Sequence, residues 1–142
     1  MHVDSILKTK GNTVFTVLAE ASIADAVAAL NRHKIGALVV TNADGAVVGI
    51  LSERDVVRYL SGDAAQLLSR KVRDCMTAKV ITVDRSASVA ELMERMTRSR
   101  IRHIPVVENG ELVGIVSIGD VVKRKIEQAE QEASAMREYI AS

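Results

Sequence analysis

Val113-Gly114-Ile115-Val116-Ser117-Ile118-Gly119-Asp120-Val121-Val122 decides how this chain is read. The same order occurs 65 residues earlier as Val48-Gly49-Ile50-Leu51-Ser52-Glu53-Arg54-Asp55-Val56-Val57, identical at seven of ten positions. Each copy reads as a short apolar strand ending in Ser, followed at once by a helix. The shared skeleton is Gly, apolar, any residue, Ser, two free positions, then Asp. A strand-to-helix junction made twice is where ligand chemistry is expected.

Working outward, the similarity extends over both halves. At an offset of 66, Val14, Thr16, Val17, Ser22, Arg32, Ile35 and Val40 fall on Val80, Thr82, Val83, Ser88, Arg98, Ile101 and Val106. The offset drops to 65 because Asn42-Ala43-Asp44-Gly45 is one residue longer than Glu108-Asn109-Gly110. A gap confined to a turn marks a genuine internal duplication.

In chain order, residues 2–11 form a short lead-in, and Val14–Val17 alternates as a β-branched strand. Ser22 is placed to cap a helix through Ile23, Val27 and Leu30. The continuous apolar run Ala37–Thr41 predicts a strand buried on both faces. Asp44-Gly45 turns the chain into Val47–Ser52, and Glu53–Leu60 closes the unit. Ser61-Gly62 breaks that helix, and 63–72 reads as a polar, partly helical connector. The second copy repeats the plan: strand Val80–Val83, then a helix capped by Ser88 with buried stripe Val89, Leu92, Met93 and Met96. Strand His103–Val107 carries the only proline, Pro105, which must sit where no ladder donor is needed. Leu112–Ser117 returns, and a long helix runs from Ile118. Within it Ile126, Ala129, Ala133, Met136 and Ile140 alternate three and four apart, a seam that either covers the protein's own core or contacts a second copy.

Neither half buries its sheet alone. The expected architecture is α/β, two β-α-β-β-α units about a pseudo-twofold axis with a long C-terminal helix. The divisions are 1–62 with the lead-in, connector 63–76, 77–126, and helical extension 127–142.

Composition bounds the rest. The 142 residues are 48% hydrophobic and 26% charged, as in an ordinary globular domain. A net charge of +1 and three aromatic residues, Phe15, Tyr59 and Tyr139, argue against a nucleic-acid surface. No apolar run approaches the roughly eighteen residues that span a bilayer. The N-terminus has no signal-peptide pattern, and the single Cys75 fits a reducing compartment, so a cytoplasmic location is expected. His2, His33 and His103 share no metal-ligand spacing with one another or with Cys75, and no phosphate-binding glycine loop occurs. No metal cofactor and no enzymatic activity are expected.

The Ser-x-x-Asp junction admits two readings. It is a capping box, in which the hydroxyl accepts an N–H of the first turn and the acid reaches back. It is equally an anion site: a helix start offers free N–H groups, and the carboxylate accepts from vicinal sugar hydroxyls. Arg100-Ile101-Arg102-His103 leads into the adjacent strand with cations suited to a phosphate, while Arg98, Arg100 and Arg102 equally fit a reading as solvated charge at a helix end. Gly114 permits close approach of a chain segment or a base.

The paired Gly-h-h-Ser-x-x-Asp segments, Ile35-Gly36-Ala37-Leu38-Val39-Val40 and Ile101-Arg102-His103-Ile104-Pro105-Val106-Val107, resemble the cystathionine-β-synthase (CBS) motif. Over about residues 3–126 the chain resembles a stand-alone CBS-pair, or Bateman, protein. The resemblance implies a regulatory module binding AMP, ADP, ATP, NAD or S-adenosylmethionine between the motifs, and association into a homodimer. It implies that Asp120 meets the ribose, Ser117 lies toward phosphate, and Ile115 lies beside the base. Arg102 and His103 match phosphate-facing positions, and Lys10 is expected to reach the same group. Thr13, Phe15, Ile35, Gly36 and Ala37 match positions that wall the adenine. The related cleft uses Ile50, Ser52, Asp55, Lys79 and Ile81. Gly36-Ala37 stand there in place of Arg102-His103, so its cations are expected from Arg54 or Arg58, and weaker binding follows. Any regulated target is expected to be a separate protein. The competing expectation is a constitutive homodimeric scaffold without ligand, its serines and aspartates acting only as caps.

Overall fold

The duplication folds into two sheets, one per repeat, each turning into its closing helix at the Ser-x-x-Asp junction. A computed structural model describes residues 1–141. Its elements are α1 (Val3–Lys10), β1 (Thr16–Leu18), α2 (Ile23–His33), β2 (Ala37–Thr41), β3 (Val47–Ser52), α3 (Glu53–Tyr59), α4 (Ala64–Ser69), α5 (Val72–Cys75), α6 (Val89–Ser99), β4 (His103–Glu108), β5 (Glu111–Ser117) and α7 (Ile118–Ala141).

Local chemistry sets the boundaries. Ser22 and Ser88 accept from Asp25 N and Glu91 N, each at 3.0 Å, so α2 and α6 begin with equivalent caps. Both helices end at a left-handed residue, Lys34 and Arg100. In the first half β2 is central, parallel to β1 and antiparallel to β3, and all five of its residues are buried. That placement is what its uninterrupted apolar run requires. In the second half β4 and β5 form an antiparallel pair with His103 opposite Ser117.

The expected strand Val80–Val83 does not form. Only Val83 bridges to Val106, through Val83 N to Pro105 O at 3.2 Å and Val107 N to Val83 O at 2.8 Å. In the first half the Val39 amide donates to Phe15 O at 3.4 Å. The equivalent of Val39 is Pro105, which has no N–H, so the ladder cannot reach Ile81. The first strand of the first half also sits slightly later than its alternation suggested, at Thr16–Leu18.

Two apolar cores result. One is built on Ile23, Leu38, Leu51, Leu67, Val72 and Cys75, the other on Val3, Ile6, Leu92, Ile104, Val116 and Val121. Each fully buried Leu or Ile contributes about 1.5–3 kcal/mol. The segment before each half packs on the opposite half. Thus α1 buries Val3, Ile6 and Leu7 in the second core, while α5 buries Val72 and Cys75 in the first. Backbone bonds repeat the exchange: Val3 N to Ala87 O at 2.9 Å, and Val72 N to Ala21 O at 2.8 Å. The stretch 63–72, polar by composition, supplies core side chains through Leu67 and Val72.

Glycine permits the close approach this exchange needs. A Cβ on Gly114 would stand 2.7 Å from Leu7 Cδ2, and one on Gly49 2.5 Å from Met76 Sδ. Of the two approaches foreseen at Gly114, the chain segment is the one seen. Met93 departs from the expected stripe on α6 and is 40% exposed. The seam on α7 does not cover the protein's own core: Ile126 is 54% and Ile140 75% exposed.

Candidate functional site

Both junctions are complete capping boxes. Ser117 N donates to Asp120 Oδ2 at 2.8 Å, and Asp120 N donates to Ser117 Oγ at 3.2 Å. The first copy is the same, with Ser52 N to Asp55 Oδ2 at 2.9 Å and Asp55 N to Ser52 Oγ at 3.2 Å. Their remaining partners differ. Asp55 is 3% exposed, takes a second bond from the Ser52 hydroxyl, and has Arg58 Nη1 3.4 Å from its other oxygen. Asp120 is less enclosed. The Lys10 ammonium reaches over from α1, 2.7 Å from Asp120 Oδ2 and 2.9 Å from Ile115 O.

Beside Asp120 lies a cavity of about 300 Å³ lined by Lys10, Thr13, Phe15, Ile35, Gly36, Ala37, His103, Ile115 and Ser117. Nine of the eleven residues assigned to the first cleft by resemblance therefore share one cavity. Asp120 stands next to it through Lys10 and Ser117, and lines a small recess between α1 and α7 with Lys123 and Arg124. Phe15, Ile35 and Ala37 of the first half and Ile115 of the second supply its apolar walls, and Lys10, Thr13, His103 and Ser117 its polar groups. Phe15 is fixed by stacking on His33, with ring centroids 3.6 Å apart and planes 11° from parallel.

Arg102 is placed differently. It lines the related cleft, a cavity of about 370 Å³ that also holds Ile50, Ser52, Arg54, Asp55, Arg58, Lys79, Val80 and Ile81. Arg102 sits in a bend before β4, just after the left-handed Arg100, and lines only this cleft, whereas His103 borders both. The expectation that this cleft draws its cations only from Arg54 or Arg58 is corrected accordingly, since Arg100 and Arg102 join Lys79 on its wall. It is the larger and more cationic of the two. Glu53, Thr77 and Ser99 also line it and were not anticipated. Thr77 exchanges backbone bonds with Ile50 at 2.9 and 3.0 Å, a pairing that no local sequence signal announced.

Gly36 and His103 line both cavities and form the partition between them. Burial lowers the His103 pKa, and the neighbouring Lys10 and Arg102 lower it further against Asp120 and Glu53, so the ring is neutral at pH 7. Burial alone would raise the Asp120 carboxyl. The Lys10 ammonium and the Ser117 N–H and hydroxyl outweigh it and hold the pKa below the usual carboxylate range. The result is an acceptor for hydroxyls, an α7 N-terminus, a cation and a neutral imidazole around one apolar chamber. Among the described residues no group of three or more His, Cys, Asp or Glu is arranged to hold a metal ion. No helix among them is long and apolar enough to cross a membrane. Cys75 is buried, and its burial raises the thiol pKa.

The CBS domain family model matches residues 7–62 and again 72–127. The mitochondrial CBS domain-containing protein CBSX3 of Arabidopsis thaliana is 35% identical over 146 residues, covering 97% of this chain and 71% of that protein. The crystal structure of the CBS-domain containing protein ATU1752 from Agrobacterium tumefaciens superposes with a TM-score of 0.84 at 47% identity, covering 88% of this chain and 99% of that one. The CBS domain pair of protein MJ0100, solved in complex with 5′-methylthioadenosine and S-adenosyl-L-methionine, gives a TM-score of 0.80 at 26% identity, covering 90% and 98% of the two chains.

Proposed function

This chain belongs to the CBS-domain family as a tandem CBS pair, and we propose that it is a regulatory module that binds an adenosine-containing nucleotide between its two motifs. AMP is the first candidate, with ADP, ATP and NAD as others of the class. The supporting observation is the Asp120 carboxylate, ionised and partly open, at the rim of the apolar chamber walled by Phe15, Ile35 and Ile115. The adenosine ligands bound by the MJ0100 pair support the same chemistry. In this reading the adenine lies against the apolar walls and the ribose hydroxyls donate to Asp120 in place of Lys10. The freed Lys10 ammonium turns to the phosphate. Binding then biases a homodimer, or the affinity for a separate target protein.

The test is isothermal titration of wild-type protein with AMP, ADP, ATP, NAD and S-adenosylmethionine. Saturable binding of at least one, lost on Phe15→Ala, is the expected result. Absence of heat and of competition for all five at millimolar concentration contradicts it. The second reading, a ligand-independent homodimeric scaffold, is favoured by one observation. Both capping boxes are complete without ligand.

A further inference from the structure

The family match ends at residue 127, but α7 continues to Ala141. Along that extension Val122, Ile126, Ala129, Ala133, Met136 and Ile140 recur four, three, four, three and four apart, the spacing of heptad core positions. The large side chains among them are 47–75% exposed, so much of the stripe is left uncovered within this chain. The flanking positions carry alternating charge. Lys125 and Glu132 precede core positions Ile126 and Ala133, while Glu130 and Arg137 follow core positions Ala129 and Met136.

We infer that this face is a two-stranded parallel coiled-coil contact with a second copy of the same chain. In a parallel pair the residue before one core position faces the residue five places later on the other strand. Lys125 then meets Glu130 of the second copy, and Glu132 meets Arg137. By symmetry four such pairs form, all of opposite sign. An identical partner pairs each of these four charges with one of opposite sign, and this picks out a second copy among possible occupants. Ala129 and Ala133 at the centre of the seam let the helix axes approach to about 8 Å. The pairing lies outside both CBS motifs, so the ligand clefts remain open while the two copies are tied together.

The measurement is a spin-label distance in the full-length protein carrying Glu138→Cys, an outward position level with itself in a parallel pair. Cys75 is buried and stays unlabelled. Helix diameter and spacing place the labels about 20–30 Å apart. That distance is expected in otherwise wild-type protein and absent in Ala133→Glu with unchanged helicity. Glu132→Lys sets two cations together and removes it; adding Arg137→Glu restores it. No distance below about 35 Å, or one indifferent to Ala133→Glu, overturns the inference, whether the copies join through their CBS motifs, run antiparallel, or lend the seam to another protein.

Discussion

Lys10 Nζ lies 2.7 Å from Asp120 Oδ2, so a side chain at the end of α1 closes on the first turn of α7 from 110 positions away. The pair is partly exposed, with side-chain accessibilities of 32% and 22%, and such contacts are worth about 0.5–1 kcal/mol. Lys10→Met is therefore expected to lose about that much stability at pH 7. Asp120 has a depressed pKa, so the pair's contribution is fully present at neutral pH and disappears as the carboxyl protonates below about pH 4. Urea unfolding of both proteins at pH 7 and pH 3.5 should show the difference shrinking at the lower value. A difference that grows on acidification contradicts this.

His103 gives the opposite end of the pH range. Its folded pKa is depressed, chiefly by burial, so the unfolded chain binds more protons below about pH 6.5 and stability falls as pH drops through that region. Lys10, Arg102, Asp120 and Glu53 are the charges that act on it. His103→Gln should flatten the loss between pH 7.5 and 5.5. Nuclear magnetic resonance titration of the ring should find its pKa below 6.5, rising when AMP brings an anion to the cleft.

The two glycines that admit the exchanged segments differ in what would yield. Ala at 114 drives a methyl against Leu7, a buried side chain of α1, at 2.7 Å. Ala at 49 meets both Met76 Sδ and the Thr77 carbonyl, 2.9 Å away, and backbone cannot step aside. Overpacking of this kind costs about 1–3 kcal/mol. Gly49→Ala should lie at the upper end. Gly119→Ala, whose nearest neighbour is Ser117 Oγ at 3.6 Å, should be close to neutral. Chemical denaturation of the three variants checks the order.

Asp55 and Asp120 occupy equivalent places but should respond differently to removal. Asp55 is nearly fully buried and satisfies two donors of Ser52, so Asp55→Ala leaves partly buried donors unpaired, at a cost of about 1–3 kcal/mol. Asp120→Ala also frees the Lys10 ammonium, which reaches water from its partly exposed position. Melting curves without ligand should show Asp55→Ala as the less stable of the two.

These contrasts mark how far the residues could be read unaided. The ten-residue repeat was enough for the duplication and for the strand-to-helix junction of each unit, because Gly, Ser and Asp recur where a strand must end and a helix begin. The caps at Ser22 and Ser88 were legible from spacing alone, and β2 from its unbroken apolar run. What escaped was governed by partners distant in sequence. The lost strand at Val80–Val83 depends on one missing amide at Pro105, visible only when Val39 is seen donating to Phe15. The crossing of α1 to the second half, which sets Lys10 on Asp120, carries no local pattern. That Arg100 and Arg102 line the related cleft follows from the turn between α6 and β4, which carries no local sequence pattern, and that cleft's cations were undercounted for that reason.

The most direct measurement is a thermal-shift comparison of wild type and Asp120→Ala across AMP, ADP, ATP, NAD and S-adenosylmethionine. A ligand present at a hundred times its dissociation constant adds about 2.7 kcal/mol to the folded state, which moves the melting point by several degrees. One adenosine ligand that stabilises wild type and leaves Asp120→Ala unmoved is the expected result. Equal shifts in both proteins would take the ribose contact away from Asp120, and no shift in either would leave Ser117 and Asp120 as helix caps alone.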